Sequence, residues 1–275
     1  FQVRKVAVLG AGVMGAQIAA HMANVKVQVV LFDLPAKEGP KNGIVTRAIE
    51  GLKKLKPSPL GVVADADLIA LPSGALHWPD QELLCVSDLH FGKSERLARR
   101  GGALLPPYET RETLLRLETD LEATGARAVI CLGDSFDDLA AAEGLDEHDR
   151  LWLIRLMAGR DWIWIEGNHD AGPVEMGGSH RADLRLGQLQ FRHIATAETP
   201  EISGHYHPKA RLAGRSHRCF LLDKQRLILP AYGTYTGGLW SHHSVLCDLM
   251  QPDALALVLA KSVLAMPMPR QGRPS

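Results

Sequence analysis

The stretch that decides the fold is Leu83-Leu84-Cys85-Val86-Ser87-Asp88-Leu89-His90, an apolar run followed at once by Asp-x-His. A short apolar run ending in polar residues predicts a buried strand, here over Leu83–Ser87. Side chains alternate in direction along an extended chain, so Asp88 and His90 would lie on one face. We therefore expect two ligand side chains at the end of this strand.

Four further motifs follow strand-like runs in the same way: Gly133-Asp134, Gly167-Asn168-His169-Asp170, His193 and Gly204-His205-Tyr206-His207. Alone, Asp-x-His or Gly-Asp is more often a turn or a helix cap than a pair of ligands, and a single histidine is usually a partly buried side chain. Sheets of alternating strands and helices, however, collect ligands at strand ends. Their joint order predicts one site built from Asp88, His90, Asp134, Asn168, His193, His205 and His207.

The donor atoms of this set are carboxylate oxygens, an amide oxygen and imidazole nitrogens, without a thiolate. Such donors suit manganese first, with iron or zinc as alternatives, and argue against a closed structural zinc site. Seven candidates exceed the needs of one transition ion. A central Asp134 could bridge two ions about 3.5–4 Å apart, so the sequence predicts two divalent metals.

Strand-like and helical segments alternate beyond Gly61, which predicts an α/β class with a sheet sandwich. The predicted helices are Thr110–Thr124 and His148–Met157. The predicted strands, besides the first, are Ala128–Leu132, Trp162–Glu166, Leu189–Arg192, Phe220–Asp223, Leu227–Leu229 and Leu255–Leu259.

The N-terminal segment has a different pattern, in which a strand over residues 4–10 precedes a glycine turn, a helix over Gln17–Asn24 and a second strand ending at Asp33. Backbone N–H groups at Gly10, Gly12 and Gly15 could approach a pyrophosphate, and Asp33 stands where a ribose carboxylate is needed.

Val-Ala-Val-Leu-Gly-Ala-Gly-Val-Met-Gly and Phe-Asp-Leu-Pro-Ala-Lys-Glu-Gly resemble the N-terminus of 3-hydroxyacyl-CoA dehydrogenases. The resemblance stops near Leu60, before that family's catalytic residues. We expect residues 1–60 to be a partial Rossmann-like βαβα fragment that does not work as an NAD site. Pro57-Ser58-Pro59 then interrupts a helical pattern, so we place a second domain over residues 61–275.

The motif order D-x-H, G-D, G-N-H-D, H and G-H-x-H resembles the calcineurin-like metallophosphoesterase superfamily, over residues 65–240. That resemblance implies a sandwich of two mixed β-sheets flanked by helices. It also implies two metal sites that share Asp134: one with Asp88, His90 and His207, the other with Asn168, His193 and His205. His169 would lie over the metals, stabilising phosphoryl oxygens or protonating the leaving oxygen.

Three longer stretches, residues 90–96, 101–109 and 230–238, are similar to the ligase-associated DNA-damage-response metallophosphoesterases. The similarity implies a manganese-dependent phosphodiesterase or DNA endonuclease in DNA repair, working with a DNA ligase, a helicase and a second nuclease. A small-molecule phosphatase or nucleotide hydrolase of the same fold remains an alternative. An NAD-binding module derived from a dehydrogenase is a third.

Overall charge and composition restrict which partners and locations are expected. Lysine and arginine together number 31, as do aspartate and glutamate. The balance argues against a protein that binds nucleic acid through its overall positive charge. Local phosphate contacts are expected from Lys93, Arg96, Arg100 and Lys209, although each could equally belong to a solvated face. We find no apolar run of about 18 residues and no signal-peptide pattern, and expect a cytoplasmic protein without a membrane partner.

Overall fold

The computed structural model describes residues 5–9, 28–34, 42, 44–46, 61–63, 66–99, 101, 108–170, 172 and 176–270. The chain divides into two compact units, Phe1–Pro59 and Leu60–Ser275. Within the described ranges, no helix is both long enough and apolar enough to cross a membrane.

The first unit contains a two-stranded parallel sheet. Strand β1 (Lys5–Leu9) pairs with β2 (Gln28–Phe32). Asp33 follows β2 directly and is exposed. The predicted helix and the glycines Gly10, Gly12 and Gly15 lie outside the described residues. Two parallel strands in this order agree with the predicted Rossmann-like fragment.

The second unit begins with a seven-stranded mixed sheet whose strands lie in chain order. Its first four strands are antiparallel neighbours, and the last four are parallel. The strands are β3 (Gly61–Val63), β4 (Ala66–Ala70), β5 (Leu76–Trp78), β6 (Leu83–Val86), β7 (Ala128–Leu132), β8 (Asp161–Ile165) and β9 (Ser179–Arg181).

The second sheet has eight strands in the order β10-β11-β12-β15-β14-β16-β17, with β13 paired to β14. Strands β11, β12 and β15 run parallel, and the other pairs are antiparallel. They are β10 (Leu184–Leu186), β11 (Leu189–Phe191), β12 (Glu201–Ser203), β13 (Lys209–Leu212), β14 (Arg215–Leu222), β15 (Arg226–Ile228), β16 (Leu255–Leu259) and β17 (Val263–Pro267).

Helices cover the outer faces of the sheets. In α2 (Glu109–Thr124), Leu114, Leu117 and Leu121 recur at helical spacing and are fully buried. That helix ends at Gly125, whose left-handed conformation lets its N–H bond to Leu121. The helices are α1 (Lys93–Arg99), α2 (Glu109–Thr124), α3 (Leu139–Glu143), α4 (Glu147–Met157) and α5 (Ser244–Leu249), with a 3₁₀ turn at Pro79–Gln81.

Alternation along β6 explains the layers. Leu84 and Val86 pack on the helix side with Leu117, whereas Leu83 and Cys85 pack against the second sheet. A third core cluster lies between the outer face of the second sheet and α5. The predicted sandwich of two mixed sheets flanked by helices is confirmed.

Cys85, Cys131 and Cys219 are buried free thiols, and burial raises the pKa of each.

Candidate metal centre

Five loops meet where the parallel strands of the two sheets end. Loops after β6, β7 and β8 come from the first sheet, and loops after β11 and β12 come from the second. Backbone bonds hold neighbouring loops together: His90 N–H donates to Asp134 O at 3.0 Å, and Gly204 N–H donates to His193 O at 3.0 Å. The sheet edges thereby place the predicted ligand motifs around one point.

One group of candidate ligands comprises Asp88, His90 and His207, whose ligand atoms lie within 4.8 Å of one another. Oδ1 of Asp88 is 3.0 Å from Nε2 of His207. Both this Oδ1 and Nε2 of His90 are buried, and apart from the contact with His207 neither has a hydrogen-bond partner among the described residues. A buried polar atom without a partner is costly, so both atoms fit the role of metal ligands.

A second group comprises Asp134, His193 and His205, again with ligand atoms within 4.8 Å of one another. Nε2 of His193 lies 3.3 Å from Asp134 Oδ2, 3.2 Å from His205 Nδ1 and 3.0 Å from Asn168 Oδ1. Its Nδ1 lies 2.8 Å from the carbonyl of Leu132. Because a carbonyl only accepts, Nδ1 carries a proton, and Nε2 is the ring nitrogen that faces these atoms.

The electrostatics of both groups favour a cation. Burial alone would lower the pKa of His193, but Asp134 and Asp88 raise it to about 9. Burial would raise the pKa of Asp88, yet the imidazoles of His207 and His193 lower it to about 2. The carboxylates are therefore ionised and draw positive charge to this point. A bound metal ion would supply this positive charge.

Backbone conformation marks the same residues. Among the described part of the chain, eight residues other than glycine have positive φ, and five of them are candidate ligands. They are Asp88, His90, Asp134, His205 and His207. Such conformations are uncommon for these residue types and collect at functional sites, where the surrounding structure enforces them.

Two glycines permit the close approach of the loops. A Cβ at Gly167 would lie 2.1 Å from the backbone nitrogen of Asp134, and a Cβ at Gly204 would lie 1.7 Å from Ser87 Oγ. Both contacts are far inside van der Waals distance. Each of these two ligand motifs therefore needs its glycine.

Asp137 has a role that the sequence did not indicate. The neighbouring Asp138 accepts a bond from the N–H of Ala141 and caps α3. Asp137 instead is buried, lies 2.9 Å from His90 Nδ1 and accepts a bond from Arg96 at 2.7 Å. Burial acts to raise the pKa of Asp137, but His90 and Arg96 lower it well below its usual range. The only indication of this role in the sequence is the position of Asp137 close to the Gly-Asp motif.

Asp170 is a second buried carboxylate with a supporting role. It accepts backbone N–H bonds from Gly167, Asp134, Ser135 and Phe136 at 2.7–3.2 Å. It thereby joins the loop after β8 to the loop after β7. The sequence placed it within Gly-Asn-His-Asp without assigning it this function.

The remaining predicted residues surround the two groups unequally. His169 Nε2 lies 4.0 Å from Asp134 Oδ2, its side chain is 33% exposed, and its Nδ1 is 3.1 Å from the carbonyl of Asp137. Lys93 begins α1 and is half-buried, while Arg96 is bound to Asp137. Arg100 lies outside the described residues.

The two units are similar to different known proteins. The 3-hydroxyacyl-CoA dehydrogenase NAD-binding domain family matches residues 5–58. A putative fatty acid oxidation complex trifunctional enzyme of Rickettsia felis is 44% identical over 71 residues, covering 26% of this chain and 10% of the relative. A probable 3-hydroxyacyl-CoA dehydrogenase of Bacillus subtilis is 41% identical over 73 residues, covering 21% and 9%. The chain thus spans about a tenth of the length of these relatives.

The sandwich resembles a solved nuclease. The crystal structure of Pseudomonas putida nuclease MPE matches with a TM-score of 0.59 and 25% sequence identity. The match covers 74% of this chain and 97% of the nuclease. The predicted resemblances are confirmed: a dehydrogenase-like N-terminal segment, and a larger part with the fold of a metallophosphoesterase-type nuclease.

Proposed function

We propose that the Leu60–Ser275 unit is a two-metal phosphodiesterase that cuts DNA, with manganese as the metal. The observation that carries this proposal is the pair of ligand groups, Asp88-His90-His207 and Asp134-His193-His205, at one sheet edge. Likeness to nuclease MPE supports a nucleic-acid substrate. Oxygen and nitrogen donors without a thiolate support manganese, with iron and zinc as competitors.

The candidate ligands would form two metal sites. Asp88, His90 and His207 would hold one metal, and Asn168, His193 and His205 the other. Asp134 would contact both, since its Oδ2 lies 3.3 Å from His193 while its loop is bonded to His90. Two bound divalent ions would supply Lewis-acid stabilisation of the phosphoryl group and acidify a water molecule.

His169 would contact the substrate. Its Nδ1 lies 3.1 Å from the carbonyl of Asp137, which fixes the proton on Nδ1 and directs Nε2 toward Asp134. A protonated Nε2 can donate to a phosphoryl oxygen or to the leaving oxygen. Replacement of His169 should therefore reduce kcat by a larger factor than it reduces the affinity for the metal.

Substrate class is decided by a panel run on the full chain with added manganese. A DNA phosphodiesterase nicks supercoiled plasmid and hydrolyses bis-p-nitrophenyl phosphate faster than p-nitrophenyl phosphate. A small-molecule phosphatase or nucleotide hydrolase shows the reverse order. Metal-loaded protein that is inactive on both plasmid and diester would refute the proposal. Association with a DNA ligase, a helicase and a second nuclease is proposed from the sequence resemblance alone.

Removal of the shared ligand is the sharpest test of the metal centre. Asp134→Ala should lose bound metal and reduce diester turnover by about three orders of magnitude or more, because the carboxylate serves both ions. Metal content is measured by atomic emission, and turnover with bis-p-nitrophenyl phosphate. His205→Ala should behave similarly, whereas Gly12→Ala in the first unit should keep wild-type turnover. A fully active Asp134→Ala variant would contradict the assignment.

A further inference from the structure

Arg218, in β14, is a partly buried cation that binds backbone carbonyls. It donates to the carbonyls of Ser73, Ala231 and Tyr232 at 3.2, 2.8 and 3.3 Å. Among the described residues, no carboxylate forms an ion pair with it. Burial and the neighbouring Arg116 lower the pKa of Arg218 to about 10, so it remains charged at neutral pH. Withdrawing a cation from water without an anion costs free energy, so folding stability alone does not explain its place.

The peptide group that Arg218 binds most closely is the first of three that connect the loops of the candidate metal centre. In each of the three, the carbonyl accepts a hydrogen bond on one side and the N–H donates on the other. We call them the peptide row, and they are Ala231–Tyr232, Ser87–Asp88 and Gly133–Asp134.

The bonds within the row cross from one loop to the next. Tyr232 N–H, in the loop after β15, donates to Ser87 O at 2.7 Å. Asp88 N–H belongs to the same peptide group as Ser87 O and donates to Gly133 O, after β7, at 3.2 Å. The row therefore connects the backbone of the first ligand motif to the backbone of the second.

A carboxylate closes the far end of the row. Asp134 N–H donates to Oδ1 of Asp170 at 3.0 Å, and three other backbone N–H groups donate to the same carboxylate. Burial raises the pKa of Asp170, but N–H donors face both of its oxygens and favour the ionised form. The row thus runs from a cation to an anion, and hydrogen bonds in such a chain polarise and strengthen one another.

The row includes the backbone N–H groups of two candidate ligands. Asp88 belongs to one ligand group and Asp134 to the other. Their φ angles are 54° and 47°, a conformation that is uncommon for aspartate and persists where surrounding contacts enforce it. The row supplies such contacts, because it fixes the peptide group from which each carboxylate side chain extends.

We propose that Arg218 is a positioning residue for both metal sites, acting through the peptide row. Together with Asp170 at the other end, it sets where the carboxylates of Asp88 and Asp134 stand relative to each other. This inference rests on the proposed function and adds to it a residue of β14 whose hydrogen bonds, among the described residues, are all to backbone carbonyls.

The first experiment measures the manganese affinity of the full chain by isothermal titration. Arg218→Met removes the charge and the donors, and should weaken binding by about 10- to 100-fold, as loss of a group that orients metal ligands does. Arg218→Gln, which keeps a donor without the charge, should weaken it in the same direction. Arg218→Lys keeps the charge and a donor for Ala231 O, and should recover most of the affinity.

Arg160→Met is the matched control. Arg160 also donates to two backbone carbonyls, those of Ala126 and Leu156, at 3.1 and 2.7 Å. It directly precedes β8, at the end of that strand opposite to Asn168. Both variants lose bonds to carbonyls and should lower the unfolding midpoint in urea, but only Arg218→Met should weaken manganese binding. Equal manganese affinity for the two variants would overturn the proposal.

Amide exchange in the metal-free protein reports on the row itself. Arg218→Met should speed deuterium uptake in proteolytic peptides that contain Tyr232, Asp88 or Asp134, because their N–H groups donate within the row. Uptake in α4 should match that of the wild type. Unchanged uptake in all three peptides of the row would also overturn the proposal.

A double variant tests whether the two ends of the row act as one unit. Losses at distant, independent sites add, whereas residues of one network show coupling. In an Asp170→Asn background, Arg218→Met should therefore cost less manganese affinity than it costs in the wild type. Additive losses would show that the row does not connect Arg218 to Asp170, contrary to the proposal.

Failure of this inference and failure of the proposed function are distinguishable. Wild-type protein that neither binds manganese nor hydrolyses bis-p-nitrophenyl phosphate would overturn the proposed function, and the role of Arg218 with it. Wild-type protein that does both, beside an Arg218→Met variant with unchanged manganese affinity, would overturn the role of Arg218 alone.

Discussion

His90 depends on a buried carboxylate for its orientation. Asp137 lies 2.9 Å from Nδ1 of His90, which leaves Nε2 free to face the candidate metal centre. Arg96 donates to the other oxygen of Asp137 at 2.7 Å and holds that carboxylate in turn. Carboxylate–histidine pairs of this kind fix the ring and increase its basicity toward metal.

Asp137→Asn should therefore weaken metal binding by about 10- to 100-fold without unfolding the protein. Asparagine keeps an acceptor for His90 but loses the negative charge. Isothermal titration with manganese measures the change. Saturating metal should restore part of the turnover, because Asp137 acts through His90 and does not contact substrate.

The matched control is Asp138→Asn at the neighbouring position. Asp138 caps α3 through the N–H of Ala141, and asparagine caps a helix about as well as aspartate. Metal affinity should stay at the wild-type value. If Asp137→Asn and Asp138→Asn bound manganese equally well, Asp137 would have no positioning role.

Helix α2 shows how a single element supports the sheet that positions the site. Leu117 is fully buried against the first sheet, and Leu115, two residues away, is 57% exposed. Leu117→Ala should lower the free energy of unfolding by about 2–5 kcal/mol, since the cavity adds to the lost transfer energy. Leu115→Ala should change it by less than about 0.5 kcal/mol.

Urea denaturation followed by tryptophan fluorescence measures both variants. All five tryptophans lie in the Leu60–Ser275 unit, so the signal reports that unit alone. Equal unfolding midpoints for the two variants would contradict the packing assigned to α2.

Elements with strong local patterns were predictable, and those that depend on pairing were not. Ala128–Leu132 and Leu255–Leu259 were predicted with the bounds observed, because continuous apolar runs mark buried strands. The strand predicted at Phe220–Asp223 is the end of the longer β14, Arg215–Leu222. Its polar first half becomes a strand by pairing with β13 as a hairpin, which no apolar alternation indicates.

At the scale of the molecule, the larger unit contains every component of the candidate site. The three core clusters draw on residues between Ala66 and Met268, and the ligand groups lie between Asp88 and His207. The nuclease MPE fold is matched over 97% of its own length. These observations favour a catalytic unit that folds without the dehydrogenase-like segment.

A chain beginning at Leu60 should therefore keep the fluorescence-detected unfolding midpoint and the diester turnover of the full protein. Denaturation and bis-p-nitrophenyl phosphate assays on both chains provide the comparison. Loss of folding or turnover on removal of Phe1–Pro59 would show that the first unit contributes to the second.

The same division predicts that the full chain does not bind NAD measurably in titration calorimetry. Within its described residues the first unit has two strands, whereas a complete dinucleotide site is built on a larger parallel sheet. Binding of NAD that Gly12→Ala abolishes would instead assign a function to Gly10, Gly12, Gly15 and Asp33.

The sequence by itself determined the order of strands and ligand motifs, because both are local: apolar runs mark buried strands, and the donors follow them within a few residues. Tertiary structure alone decided that Asp137 lies beside His90 from 47 positions away and that Trp240 lies beside Lys209. Those contacts depend on how two sheets pack and on which loops meet at their shared edge. The spacing of residues along the chain does not indicate which loops meet.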